Sequence, residues 1–255
     1  MKEWMVQPVQ SDEDFVPVKT YIPDVFVDLR YATKFNFTNQ KIYDFTNAWL
    51  RYGTVKKLIL VQNELKQMGL RLKILDGFRP PSAQFKLWEV CPNPTFVADP
   101  NNGFSTHSCG NTVDVTLAYA DGTELVMPTE FDSFSKLASR DYRDCSKEGA
   151  ANSILLEKLM EKHGFNPYFN EWWHFSDTQS YRVEESFEPM KATTCYADCN
   201  ESMNLLSKPD KDSDVITRIF AGKRFEVLAK YGDFALVDYE GIFGYVPYKH
   251  VKPIE

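Results

Sequence analysis

No part of the 255-residue sequence is apolar for long. Its strongest runs, such as Leu58 to Val61, fall far short of the roughly 18 residues that a membrane-spanning helix needs. Basic clusters are missing as well: 29 Lys and Arg stand against 36 Asp and Glu, for a formal net charge of −7. No nucleic acid is therefore expected as a partner, since phosphate backbones call for clustered cations. The first fourteen residues carry Glu, Gln and Asp where an export signal needs an apolar stretch. The expectation is a cytoplasmic protein if the chain is complete, or one of the periplasm or cell envelope if an export signal has been removed. Five cysteines (91, 109, 145, 195 and 199) form an odd, irregularly spaced set. Cys195 and Cys199 make one C-x3-C pair with no second pair to complete a structural zinc site, so free thiols are expected, and a disulfide between them only in an exported chain.

What is present is an ordinary globular balance of 43% apolar and 25% charged residues, with aromatics at 15%, enough for a sizeable core and a ring-lined cleft. Two textures divide the chain. Residues 47–68 place apolar groups at helical spacing and stop at Gly69, and Leu70–Leu75 alternates as a strand. Asp76-Gly77-Phe78-Arg79-Pro80-Pro81 then breaks the pattern, and a helix is expected from Pro81 to Val90 and another from Asn152 to His163. Val113 to Leu117 reads as a strand with one acidic residue facing away from its valines, and residues 165–175 as an aromatic strand. Helices and short strands in no regular alternation predict an α+β domain with a mostly antiparallel sheet over residues 1–190. In residues 191–255, short strands at 215–220, 224–229, 234–239 and 242–247 follow one another at 8 to 10 residues without a helix, which predicts a small all-β barrel.

Only four histidines exist. A catalytic zinc ion takes three N or O protein ligands and keeps one position open for water. His107, Asp114 and His174 would supply that set, with Glu171, three residues before His174, left free as a general base. Taken singly, each has a plainer reading: a histidine in an aromatic strand is commonly a hydrogen-bonded core residue, and a lone aspartate a turn or cap. Together they favour a metal, because a carboxylate in an apolar strand is expensive unless paired or ligated. Glu171 beside Trp172 and Trp173 also sits where burial raises a carboxyl toward the range useful to a base. His163, in the last turn of its helix, suits a cation at a helix C-terminus, and His250 is expected at the surface.

The pattern S-x-H-x-x-G-x-x-x-D (Ser105 to Asp114) followed by E-x-x-H (Glu171 to His174) resembles the metallopeptidases that cleave D-amino-acid bonds of bacterial cell-wall peptides. Asp28-Leu29-Arg30-Tyr31-Ala32-Thr33, Asn36-Phe37-Thr38 and Asp76-Gly77-Phe78-Arg79-Pro80 narrow the resemblance to the D-alanyl-D-alanine dipeptidases, over roughly residues 21–180. The resemblance implies zinc on His107, Asp114 and His174, Glu171 as base, and Arg79 steadying the tetrahedral intermediate. It also implies that Tyr31 and Asp132 hold the substrate's free amino group, while Ser105 lies near its carboxylate. Two positions depart from the family: Thr112 replaces an alanine, and Asn39 stands where glycine commonly follows Asn-Phe-Thr.

The last 65 residues resemble a bacterial SH3 domain, through Met203 to Pro209 (L-N-x-R-x-x-P, with Leu206 or Ser207 where arginine is frequent) and Gly241 to Val246 (G-x-x-G-Y-V). Such domains often bind peptidoglycan, so the wall polymer is a further expected partner beside the dipeptide. The alternative activity is that of a D,D- or L,D-carboxypeptidase or endopeptidase acting on muropeptides.

Overall fold

The computed structural model describes residues 11–94 and 97–254, which form two compact units, one spanning Ser11–Glu184 and one beginning at Glu185. No helix among the described residues is long and apolar enough to cross a membrane.

The first unit opens with β1 (Phe15–Pro17), the single turn α1 (Val18–Tyr21), β2 (Phe26–Val27) and β3 (Trp49–Arg51), which pairs antiparallel with β1. Helix α2 (Tyr52–Gln67) follows; Val55, Leu58, Val61, Gln62 and Leu65 form its buried stripe. In β4 (Leu70–Asp76), Leu70, Leu72 and Ile74 point inward at period two. Helix α3 (Pro81–Val90) starts on a proline, whose missing N–H has no partner to lose in a first turn. After β5 (Thr112–Tyr119) comes α4 (Lys147–Lys162), capped by Ser146 Oγ accepting from Gly149 N at 3.0 Å, and then β6 (Phe165–Pro167) and β7 (His174–Asp177). The main sheet runs β2-β4-β5-β7-β6 and is antiparallel except between β2 and β4. Strand β5, buried from Thr112 to Ala118, lies at its centre.

Three expectations change here. The helix expected over 47–68 begins only at Tyr52, because Trp49 and Leu50 are fully buried and pair with β1. The strand expected over 165–175 is a hairpin: β6 and β7 flank a turn whose Trp172 and Trp173 are buried, so tertiary packing overrides strand propensity. Helix α4 starts five residues before Asn152, its first turn set by the Ser146 cap where apolar periodicity is weak. Asn39, in place of the family's glycine, has φ 54°, a left-handed conformation that asparagine tolerates better than most residues.

The second unit is all β: β8 (Phe187–Ala197), β9 (Ser202–Leu206), β10 (Val215–Phe220), β11 (Arg224–Tyr231), β12 (Phe234–Tyr239), β13 (Ile242–Pro247) and β14 (Val251–Pro253). They form one antiparallel sheet ordered β10-β9-β13-β12-β11-β8-β14 around Leu205, Ile219, Val227, Val237 and Val246. Glu240 and Gly241 join β12 to β13 with φ of 56° and 86°, the two-residue turn whose twist matches its strands, and Gly241 N donates to Asp238 Oδ1 at 2.8 Å.

Candidate active site

Sheet register assembles the site. Across β4, β5 and β7, Asp76 pairs with Asp114 and Asp114 with His174, so three distant segments place acidic and imidazole groups in one row. A bulge between Ile74 and Asp76 interrupts the ladder beside this row. His107 comes from a short 3-10 turn, Thr106–Cys109, whose start is capped by Ser105 Oγ accepting from His107 N at 3.4 Å. The turn ends at Gly110 with φ 77°, where any Cβ would collide with the Phe15 ring, so glycine is required there.

The tautomer of His107 follows from its partner. Nδ1 lies 2.8 Å from the Gly77 carbonyl, which can only accept, so Nδ1 carries the proton and Nε2 is free. Nε2 sits 3.4 Å from Asp114 Oδ1, and His174 Nδ1 lies 3.2 Å from the same oxygen. One ligand atom from each residue falls within 4.8 Å of the others. Metal bonds of about 2.0–2.1 Å at a tetrahedral angle put neighbouring ligand atoms about 3.3 Å apart, so the spacing fits zinc. Asp114 Oδ1 is buried and makes no hydrogen bond. Burial pushes the Asp114 carboxyl up, but the imidazoles of His107 and His174 close beside it outweigh burial and hold it well below the usual range, so the group is an ionised acceptor. A buried carboxylate oxygen without a donor suits a cation, and the donor set fits zinc.

Glu171 lies in the β6–β7 turn with Oε2 3.5 Å from His174 Nδ1. Desolvation raises its carboxyl above the ordinary glutamate value against the opposing pull of His174. Arg79 is held from behind: Nη2 donates to Asp76 Oδ2 at 2.7 Å and Nη1 to Gln84 Oε1 at 3.1 Å, while Nε is buried with no partner. Asp76, with no exposed surface, also accepts from Tyr43 Oη at 2.8 Å and Gly77 N at 2.9 Å. Tyr43, Asp76 and Gln84 are functional neighbours that the sequence reading does not single out. Asp76, three residues before Arg79 in the same quoted segment, was the available signal.

At the other side of the cleft Tyr31 Oη donates to Asp132 Oδ2 at 2.9 Å, and Asp132 adopts a left-handed φ of 58°. Burial, with the Asp114 charge adding to it, lifts the Asp132 carboxyl well above its ordinary value. Tyr31, Arg79, Ser105, His107, Asp114, Asp132, Glu171 and His174 all line one cavity of about 550 Å³, so the structure brings every residue of the expected site together. Thr112, the other departure from the family, is accommodated: its Oγ1 lies 2.9 Å from Ser176 Oγ. His163 and His250 have partners of their own, the first with Nε2 2.6 Å from Glu64 Oε1, the second with Nδ1 3.0 Å from the Asp198 carbonyl.

Known proteins resemble the chain over both of its units. A family model described as D-Ala-D-Ala dipeptidase matches residues 11–192, and one described as bacterial SH3 domain matches residues 201–252. The chain is 32% identical over 167 residues to a D-alanyl-D-alanine dipeptidase of Escherichia coli K12, covering 66% of this chain and 86% of that protein. It is 31% identical over 168 residues to a protein of the same name from Enterococcus faecalis V583, covering 58% and 83%. With one from Streptomyces coelicolor it shares 30% over 184 residues, covering 64% and 91%.

Proposed function

The chain belongs to the D-Ala-D-Ala dipeptidase family, and from that premise we propose that it hydrolyses D-alanyl-D-alanine, or similarly short D-amino-acid peptides, with one zinc ion held by His107, Asp114 and His174. The observation that carries the reading is the single cavity in which the partnerless Asp114 oxygen, the burial-raised Glu171 and the anchored Arg79 face one another.

When bound, zinc supplies Lewis-acid activation of a water molecule and of the scissile carbonyl. Glu171 takes the proton from the attacking water and later passes it to the leaving amine, a role its raised pKa favours. Arg79, fixed by Asp76 and Gln84, donates to the oxyanion as it forms; one such donor contributes about 3 kcal/mol in transition-state stabilisation. Tyr31 and Asp132 hold the substrate's ammonium, whose charge offsets the cost of ionising the buried Asp132 carboxyl. Ser105 receives the carboxylate end.

In this proposal residues 1–190 perform the chemistry and residues 191–255 attach to peptidoglycan. The amine clamp gives the decisive test. Free D-Ala-D-Ala should be cleaved and its N-acetylated form should not. Efficient cleavage of the blocked peptide would remove Asp132 from its assigned role and indicate a carboxypeptidase acting on muropeptides.

A further inference from the structure

Arg140 is a buried guanidinium that the proposed reaction does not use, with only 4% of its side chain exposed. It lies between α4 and the β6–β7 hairpin. Its Nη1 donates to Glu157 Oε2 on α4 at 3.1 Å, and Tyr142 Oη donates to the same oxygen at 2.6 Å. Nη1 also donates to Tyr142 Oη at 3.4 Å, and Nε, Nη2 and the backbone N–H go to the hairpin. Nε donates to the Tyr168 carbonyl at 2.9 Å, Nη2 donates to the His174 carbonyl at 3.0 Å, and the backbone N–H of Arg140 donates to the Phe169 carbonyl at 2.9 Å. The guanidinium also sits 4.4 Å above the Phe175 ring.

The two backbone carbonyls that accept from the guanidinium, those of Tyr168 and His174, form the neck of the turn that carries Glu171. Tyr168 N donates to the His174 carbonyl at 3.1 Å, Glu171 N to the Tyr168 carbonyl at 3.2 Å, and His174 N to the Glu171 carbonyl at 3.3 Å. Both ends of the turn are thus gripped by one planar fork, and the residues gripped are the peptide unit of a proposed metal ligand and the start of the loop bearing the proposed base. A lysine cannot reproduce this: its point charge reaches one carbonyl, not two at fixed spacing.

We propose that Arg140 is a positioning residue that fixes Glu171 relative to His174 by clamping the Tyr168 and His174 carbonyls. The inference rests on the function proposed above for Glu171 and His174. Displacement of a catalytic group by about 1 Å can cost on the order of 10²-fold in rate, so loosening the neck should act on turnover and spare substrate binding.

The test compares wild type with Arg140→Lys and Arg140→Ala in the full-length zinc-loaded protein. Three quantities are measured: kcat and KM on D-Ala-D-Ala, hydrogen exchange of the amides in residues 168–174, and the response of Arg140→Ala to added guanidinium. For Arg140→Lys, kcat should fall on the order of 10²-fold with KM nearly unchanged, and exchange should quicken in residues 168–174 while α2 and β5 stay protected. Guanidinium should restore part of the kcat of Arg140→Ala. Unchanged kcat and unchanged exchange in the lysine variant would overturn the inference, as would a loss carried by KM or by general unfolding without guanidinium rescue. Wild type inactive on D-Ala-D-Ala would instead remove the proposed function, and the exchange comparison would still decide whether Arg140 holds the turn.

Discussion

The two units bury different kinds of side chain. In Ser11–Glu184 the interior holds Asp76, Arg79, His107, Asp114, Arg140 and Asp177, all at 9% exposure or less. Among the described residues from Glu185 onward, no Ser, Thr, Asn, Gln, His or charged side chain is buried to that extent; the core there is Leu205, Ile219, Val227, Val237, Val246 and their apolar neighbours. Burying a charge costs several kcal/mol unless partners offset it. The first unit meets that cost with specific partners: Asp76 for Arg79, Glu157 for Arg140, and Lys57 with Thr54 for Asp177. Asp114 is the exception, with one oxygen lacking a donor, and it is the residue proposed to bind metal. The second unit combines an apolar core with its sheet hydrogen bonds, and among its described residues no charged side chain is buried.

Substitutions that break the difference should grade by where they fall. Asp114→Ala has the largest expected effect: zinc per chain, measured by elemental analysis, should drop from about one to near zero and hydrolysis should vanish. Glu171→Ala comes next. It should keep its zinc and lose roughly 10²–10⁴-fold in kcat, because Glu171 is proposed as base and not as ligand; substantial remaining turnover would assign the base elsewhere. Leu205→Ala, in the apolar core of the second unit, should have the smallest effect on chemistry. It should lower the stability of that unit by about 2–5 kcal/mol in denaturant titration while kcat/KM on D-Ala-D-Ala stays as in wild type. A loss of turnover there would show that the two units are coupled.

The sequence revealed the two units unequally. The α+β character, β4, α3 and the strands over 215–220, 234–239 and 242–247 were legible because apolar periodicity and turn residues are local signals. The proposed ligands and base stand out in the sequence only in combination, since each taken singly has a plainer reading. What supports Arg79 was not. Tyr43 and Gln84 reach Asp76 and Arg79 only after the chain has folded, and no local pattern marks a tyrosine 33 residues away as a hydrogen-bond donor. The β6–β7 hairpin departs from the expected strand for the same reason. Its turn is made of Tyr168 to Trp173, and an aromatic run looks like a strand until Trp172 and Trp173 are seen to be buried by the rest of the unit.

The proposed dipeptidase activity depends on a zinc ion held by His107, Asp114 and His174. Chelator-stripped protein titrated with zinc, with release of D-alanine from D-Ala-D-Ala followed at each step, tests it most directly. Activity should rise linearly and saturate at about one zinc per chain, and the Asp114→Ala protein should show no rise. Release of D-alanine at full rate without metal, or no release at any zinc level, would contradict it.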